Sequence, residues 1–368
     1  MVAPAAIAPI RTSRRVSMGF SFGGILSVAS RFRYIVSPQT EGGFMHLFAR
    51  RTLAAALLVS ASTSAWAQGY PDRPLRLVVG FPPGGSGDFL ARIIADELTR
   101  EIGQPVVVDN KPGAGSNIAA EHVARAASDG YTILLAGNFT HAINPWLYKN
   151  LSWDPHRDFT PITEVALMSI IVCVTPERGI RSMKELIARV RSEPGKWFYA
   201  SPGNGTSQHL AGAELNRITG TDMQHVPFKG GAPSLQAVLA GDVQVMIGTT
   251  PVVLPQIRAG KLVPLALITR APSRMVPGVP GMEEAGVPGL DLGSWWGIWA
   301  PPGIPSEVKQ RLYASITKVM RLPQVAEKLA REAMEPEVSA SPEEFAAFVR
   351  RDHASYEAIV KSSGAKAD

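Results

Sequence analysis

One cysteine, Cys173, in 368 residues rules out an internal disulfide, and its setting in an apolar run reads as a small core residue of a strand. Paired cysteines and H-x-x-x-H are both missing, so nothing suggests a metal site. G-x-G-x-x-G is absent, and no lysine follows a glycine loop in the P-loop manner, which argues against a nucleotide. Without a G-x-S-x-G elbow, or an acid placed to orient a histidine, a serine hydrolase is disfavoured too. Repeats at solenoid periods are also lacking. Charge of one sign is scarce once the first 67 residues are set aside. Those residues hold seven arginines against one acid, Glu41, and so carry the whole formal excess of +6. The remainder is balanced, and no electrostatic case for nucleic acid is left.

What is present begins with FARRTLAAALLVSASTSAWAQ at 48–68. A basic start at Arg50 and Arg51, a short Ala- and Leu-rich stretch, and small residues at Ala65 and Ala67 form a secretory signal peptide. Its apolar core is far short of the ~20 residues that span a bilayer. Export to the periplasm and cleavage are the expectation; the arginine pair also permits the Tat route. Residues 1–44 lie upstream of a signal that has its own Met45. Translation from Met45 is the plainest reading, and a long presequence is the alternative. Residues 1–67 are therefore left out of the fold.

Seven tryptophans, six of them after residue 67, and 45% apolar residues over the chain support a packed globular protein of two ordinary domains from residue 68 onward. Strands are expected at 75–81, 105–110 and 131–137, with helices at 88–102 and 117–127 between them. Continuous apolar runs flanked by helices indicate strands buried on both faces, the sign of a parallel sheet. After a long strand-like crossing at 165–175 the pattern restarts. Helices at 183–192, 207–219, 233–240 and near 252–259 alternate with strands at 198–201, 225–228, 243–248 and 262–269. A Pro- and Gly-rich return, 271–294, leads to three closing helices at about 305–321, 323–333 and 342–361. The expected fold is therefore α/β: two Rossmann-like lobes joined by a two-crossing hinge. Lobe 1 is 68–168 and 292–368; lobe 2 is 169–291. A ligand would lie in the cleft between them.

The strand-to-helix junctions carry the chemistry. In VVGFPPGGSGDF the strand ends at Phe81, and Gly84 and Gly85 allow a ligand close to the main chain. Ser86 is expected to cap the helix, and Asp88 suits its first turn. The unbonded N–H groups of such a start form an anion site. A bare glycine turn is weak evidence, but it recurs. ASPGNGTSQHLAG supplies Ser201, Asn204, Gly205, Thr206 and Ser207; HVPFKGGAPS supplies Lys229 and Gly230; GNFTHAINP supplies Asn138, Thr140 and His141. These loops fall at strand ends, where open α/β sheets bind ligands.

Several residues admit two readings. His141 and His209 invite a catalytic role with Ser201 or Ser207, yet buried, hydrogen-bonded structural histidines are the simpler account. Lys229 suits either a bound carboxylate or an ordinary turn. Trp295, Trp296 and Trp299 suit hinge and core packing better than ligand stacking.

Taken together, YPDRPLRLVVGFPPGGSGDFLAR, GQPVVVDNKPGAGSNIAAEHVARAASDGYTILL, HAINPWLY, SPGNGTSQHLAGAEL, VPFKGGAPSLQAVLAGDVQVM and PQIRAGKLVPLAL resemble the Bug-type periplasmic receptors, the solute-binding components of tripartite tricarboxylate transporters. The resemblance covers nearly all of 68–368. It implies the type II periplasmic binding protein fold, no enzymatic activity and no cofactor. It also implies capture of a small organic carboxylate by main-chain amides and ordered waters between two loops, here Phe81 to Asp88 and Ser201 to Ser207, with the 138–141 and 228–230 loops beside them. The partners implied are membrane permease subunits, or a sensor kinase in a signalling variant; a monomer is expected. Where many relatives read Met-Phe-Asp, this chain has Met246-Ile247-Gly248 followed by Thr249, so Gly248 and Thr249 join the candidate contacts. An acid there would suit a ligand amine. Its loss tilts the expectation toward a plain mono- or dicarboxylate, aromatic acids included.

Overall fold

The computed structural model describes residues 69–367; the expected leader and upstream extension, 1–67, lie outside them. Two mixed sheets divide the strands. The first contains β1 (Leu75–Val79), β2 (Val106–Asn110), β3 (Thr132–Gly137), β4 (Thr160–Met168), β10 (Ser294–Ala300) and β11 (Met334–Pro336), in the order β11-β4-β10-β3-β1-β2. The second contains β5 (Ile170–Val174), β6 (Phe198–Ser201), β7 (Gln224–Pro227), β8 (Val245–Thr249) and β9 (Val263–Leu267), in the order β7-β6-β8-β5-β9.

Each sheet has a parallel part, β2-β1-β3 and β7-β6-β8, as continuous apolar runs between helices require. The strands that carry the chain between sheets run against it: β10 is antiparallel to β3 and β4, and β5 to β8 and β9. The purely parallel expectation is corrected there, because a chain that leaves one sheet and later returns must re-enter it from the opposite end. The apolar stretch 165–175 is likewise two strands, and the chain changes sheets at Ser169. SWWGIWA, read only as packing in the sequence, is the fully buried strand β10 at the centre of the first sheet.

The helices follow their patterns. In α1 (Ser86–Ile102), Leu90, Ile94 and Leu98 face the core, and Gly103 ends the helix in the left-handed region with its N–H on the Thr99 carbonyl. The other helices of the first sheet are α2 (Asn117–Ala124), the short α3 (Asn144–Leu147), α8 (Ser306–Met320), α9 (Pro323–Arg331) and α10 (Pro342–Ser363). Around the second sheet lie α4 (Met183–Ser192), α5 (Ser207–Thr219), α6 (Gly231–Ala240) and α7 (Thr250–Arg258). Among the described residues no helix is long and apolar enough to cross a membrane.

Two polar features are folded into this core. His141, in a π-helical turn after β3, is fully buried. Its ring lies flat on Trp299, with centroids 4.0 Å apart, and meets the edge of Phe159. Neither ring nitrogen has a hydrogen-bond partner, which corrects the expectation of a hydrogen-bonded histidine. His209 and His225 stack at 4.1 Å between α5 and β7, and Tyr199 covers the other face of His225. Burial lowers all three imidazoles from the ordinary 6.5, to about 3 for His141, about 4 for His209 and about 3 for His225. Glu164 on β4 moves the other way. Burial, and the carboxylates of Glu337, Asp352 and Glu344 around it, push its carboxyl up to about 8.

The two effects bound stability from opposite sides. The histidines stay neutral when folded but take protons at 6.5 when unfolded, so their contribution is complete above that pH and is lost as pH falls toward 4 and then 3. His141→Phe, which keeps the stack and removes the titration, should flatten the loss of stability between pH 6.5 and 4 in denaturant titrations. Glu164 contributes fully below its ordinary 4.5, and this is lost as pH rises through about 8. Glu164→Gln should therefore raise the melting temperature at pH 8.5 and leave it nearly unchanged at pH 4.5, by ~2–4 °C for each kcal/mol regained in a chain of this size.

Candidate functional site

Where the two sheets face each other, the starts of four helices meet on one cavity of about 40 Å³. Gly85, Ser86 and Gly87 come from α1, Gln208 from α5, Gly230 and Gly231 from α6, and Thr249 and Val252 from α7. The N–H groups of a helix's first turn have no carbonyl to bond within the helix. In α1 the first to find one is Phe89, on the Gly85 carbonyl; in α5 it is Leu210, on Thr206; in α6 it is Ser234, on Gly230. Each start also carries the positive end of its helix dipole, which favours an anion by about 1–2 kcal/mol in a partly buried setting.

The rest of the wall is aromatic and neutral. Phe81, Phe139 and Trp296 pack edge to face or tilted, with centroids 4.9 to 6.0 Å apart. No ionisable side chain lines this chamber. Trp296 fits because Gly87 has no side chain: a Cβ there would stand 2.7 Å from the indole. A second chamber of about 760 Å³ shares Phe81, Pro82, Pro202 and Gly230 with the first. It is bounded by the Pro112–Ser116 loop, Tyr148, Asn204 and Lys229. Among the described residues Lys229, exposed and in no ion pair, is the single charged side chain on its wall.

Hydrogen bonds join the two halves across the cleft. Ser86 Oγ and Thr249 Oγ1 lie 2.6 Å apart. Asn204 Nδ2 donates to the Ala367 carbonyl, and the Tyr148 hydroxyl donates to the Asn204 carbonyl. At the back, Asn138 is a fully occupied junction. Its Oδ1 accepts from the Phe139 N–H and the Ser207 hydroxyl, and its Nδ2 donates to the Gly293 carbonyl and the Tyr356 hydroxyl. Four segments, the end of β3, the return crossing, α10 and α5, are pinned by one side chain. Each such neutral bond contributes about 1 kcal/mol, and breaking one in a buried place costs more.

The sequence-predicted residues separate into groups. Phe81, Gly85, Ser86, Gly230 and Thr249 line the inner chamber; Asn204 and Lys229 line the outer one. Ser86 does not cap α1: Gly85 is the N-cap, and the Ser86 hydroxyl is turned to Thr249. Asp88 is buried off the wall. Burial opposes its charge, but Arg92 and the Gly84 N–H hold its carboxylate below the ordinary range, so Asp88 and Gly84 brace the Pro-Pro-Gly-Gly turn. Thr206 is the true N-cap of α5, accepting the His209 N–H, while Gly205 packs against Asn144 with φ +78°. Ser201 bonds His225 Nε2 at 2.6 Å, and Ser207 is committed to Asn138. Thr140 and His141 are buried off both chambers, and Gly248 sits inside β8 against Val253.

The wall also includes Gly87, Phe139, Gln208, Ser294 and Trp296, none of which the sequence reading singled out as a contact, though Gly87 and Phe139 lie inside loops it named by their ends. Gly87, Phe139 and Gln208 each adjoin a residue that was named, so reading every position of the loop would have found them. Ser294 carried no such signal, because β10 itself was unrecognised, and Trp296 was weighed for ligand stacking but assigned to packing. Among the described residues no group of three His, Cys, Asp or Glu side chains is gathered in a way that could hold a metal ion.

Residues 90–365 match the profile of the tripartite tricarboxylate transporter family receptor, TctC. The chain is 36% identical over 323 residues to the UPF0065 protein in the gbd 5' region of Cupriavidus necator, covering 87% of this chain and 97% of that one. It is 32% identical over 316 residues to protein BugT of Bordetella pertussis, covering 86% and 95%. Among solved structures it is similar to R. palustris Rpa4515 with adipate, at TM-score 0.78 and 34% identity over 81% of this chain and 99% of that one. It is also similar to MatC of Rhodopseudomonas palustris with bound malate, at TM-score 0.75 and 30% identity over 79% and 100%. The periplasmic binding protein BugD has the same fold at TM-score 0.77 and 33% identity over 81% and 99%. By sequence profile, by relatives aligned over most of their length, and by the shared two-sheet architecture, this chain belongs to the Bug-type receptor family of the tripartite tricarboxylate transporters.

Proposed function

We propose that this protein is a periplasmic receptor that captures a small organic carboxylate between its lobes and delivers it to the membrane permease of a tripartite tricarboxylate-type transporter. One observation carries the reading: four helix starts, from both halves of the fold, meet on a chamber whose wall has no charged side chain. A carboxylate there is held by main-chain N–H groups and dipole ends instead of a fixed cation. It is bound firmly, yet is released without breaking a buried ion pair. The adipate and malate held by two of the similar structures support a carboxylate as ligand.

A chamber of about 40 Å³ has room for a few waters. Entry of a ligand, in this reading, parts the lobes, with the two chain crossings, at Ser169 and over 271–294, as the hinge. The cross-cleft bonds of Ser86 to Thr249 and of Asn204 to Ala367 would break and re-form with each cycle. A hydrolytic role finds little support in the same groups. Ser207 is bonded to Asn138, His209 is stacked on His225, and the partly buried Ser201–His225 pair has no carboxylate partner among the described residues.

Two measurements test the reading. In a thermal-shift panel of mono-, di- and tricarboxylates, at least one acid should raise the melting temperature with a dependence on its concentration that fits a single site. A flat response from protein freed of co-purified ligand would sink the proposal. Gly85→Val addresses the loop. Gly85 has φ −93°, and the nearest atom to a Cβ placed there is the Pro82 carbonyl at 3.8 Å, so the fold tolerates the change while the side chain crowds the chamber. Affinity for the acid found in the panel should fall by at least ~100-fold, as expected when several buried contacts are lost together. An unchanged dissociation constant would reduce the loop to a turn.

A further inference from the structure

Gln208 is the second residue of α5 and one of the wall residues of the inner chamber. It is 6% exposed, and its carboxamide makes no hydrogen bond among the described residues. Its amide atoms are not sealed off from the chamber, so they are open to a bound molecule or to water. Its placement is not loose. Thr206 caps the helix just before it, and Ser207, its neighbour in the chain, is bonded to the Asn138 junction. Ser294, at the start of β10, faces the same chamber, is 4% exposed, and its hydroxyl has no bond among the described residues either. One neutral polar group with both donor and acceptor capacity thus comes from each half of the fold.

Resting on the receptor reading above, we infer that Gln208, assisted by Ser294, is the specificity-determining residue of the cleft and selects carboxylates whose carbon skeleton bears a hydroxyl group. A carboxamide offers two N–H donors and one carbonyl acceptor. An ammonium substituent would use the carbonyl alone and would be buried beside no acid, since the chamber wall has none. A carboxylate substituent would use the N–H groups alone and bring its charge against the amide carbonyl. A hydroxyl donates to the carbonyl and accepts from the amide or from Ser294, so every group is paired. The helix starts hold the carboxylate, and the Gln208–Ser294 pair reads the hydroxyl. Sites built to bond a hydroxyl discriminate strongly against the analogue that lacks it, because their own polar groups are then left unpaired.

Isothermal titration of matched acids tests this: malate against succinate, lactate against propionate, and 3-hydroxybutyrate against butyrate. The unmodified protein should bind the hydroxylated member of at least one pair about tenfold or more tightly than its partner. Gln208→Leu, of similar size but without the amide, should abolish that preference by weakening the hydroxy acid more than the plain acid, until the two members of the pair bind equally. Ser294→Ala should lower the preference partway. Circular dichroism melting of each variant establishes that it is folded, and Gln208→Met serves as a second apolar replacement if the leucine variant is not. Equal affinity for both members of every pair, or an equal loss of both in Gln208→Leu, overturns the inference while the receptor reading stands. Failure of every acid to bind the unmodified protein overturns both.

Discussion

A helix cannot satisfy its own first N–H groups, and this structure turns that shortfall into a site. Four helices, supplied by two sheets, begin on the wall of one small chamber. Everything else around the chamber keeps those starts in place or keeps charge away. Asp88, the one acid in the first turn of α1, is drawn aside by Arg92 and used to brace the preceding turn. Thr206 covers the His209 amide of α5 and leaves those of Ser207 and Gln208, just before it, without a partner among the described residues. The floor is built of Phe81, Phe139 and Trp296, whose edge-to-face packing supplies area without charge.

The second constraint is mechanical. A cleft between lobes works only if the lobes are held in register while remaining able to separate. Asn138 supplies the register: with all four of its hydrogen-bonding positions filled, it ties three segments of the first half to α5 of the second. The bond from Asn204 to Ala367 is only partly buried and joins groups that water can also satisfy, whereas Ser86 to Thr249 is a buried bond on the inner chamber; in the proposed cycle both would have to yield.

The α/β class and most elements were legible in the sequence, because apolar runs of strand length alternate with helical periodicity from 75 to 140 and again from 183 to 269. The glycine junctions marked the cleft, since close approach and positive φ leave few other choices, as at Gly230 with φ +106° against Pro82. What was not legible came from long-range pairing. SWWGIWA has no alternation to reveal its strand, and nothing local places it between β3 and β4. Nor does local pattern tell a loop residue that faces the chamber from one that faces the core. Asn138, Thr140 and Ser207 look like ligand contacts in a polar loop, yet their side chains are taken up or buried by partners far away in sequence. The mixed character of both sheets was hidden for the same reason: direction is set by where the chain re-enters.

The position of β10 has a consequence for assembly. It lies between β3 and β4, so those two strands, complete by residue 168, have no shared neighbour until residues 294–300 exist. A chain emerging from its N-terminus can finish the second sheet, 170–267, while the first still lacks its middle. The inserted half can therefore form on local information, but the half that contains both ends of the described chain closes last, through contacts more than 100 residues apart, and this long-range closure makes it the slower of the two to fold.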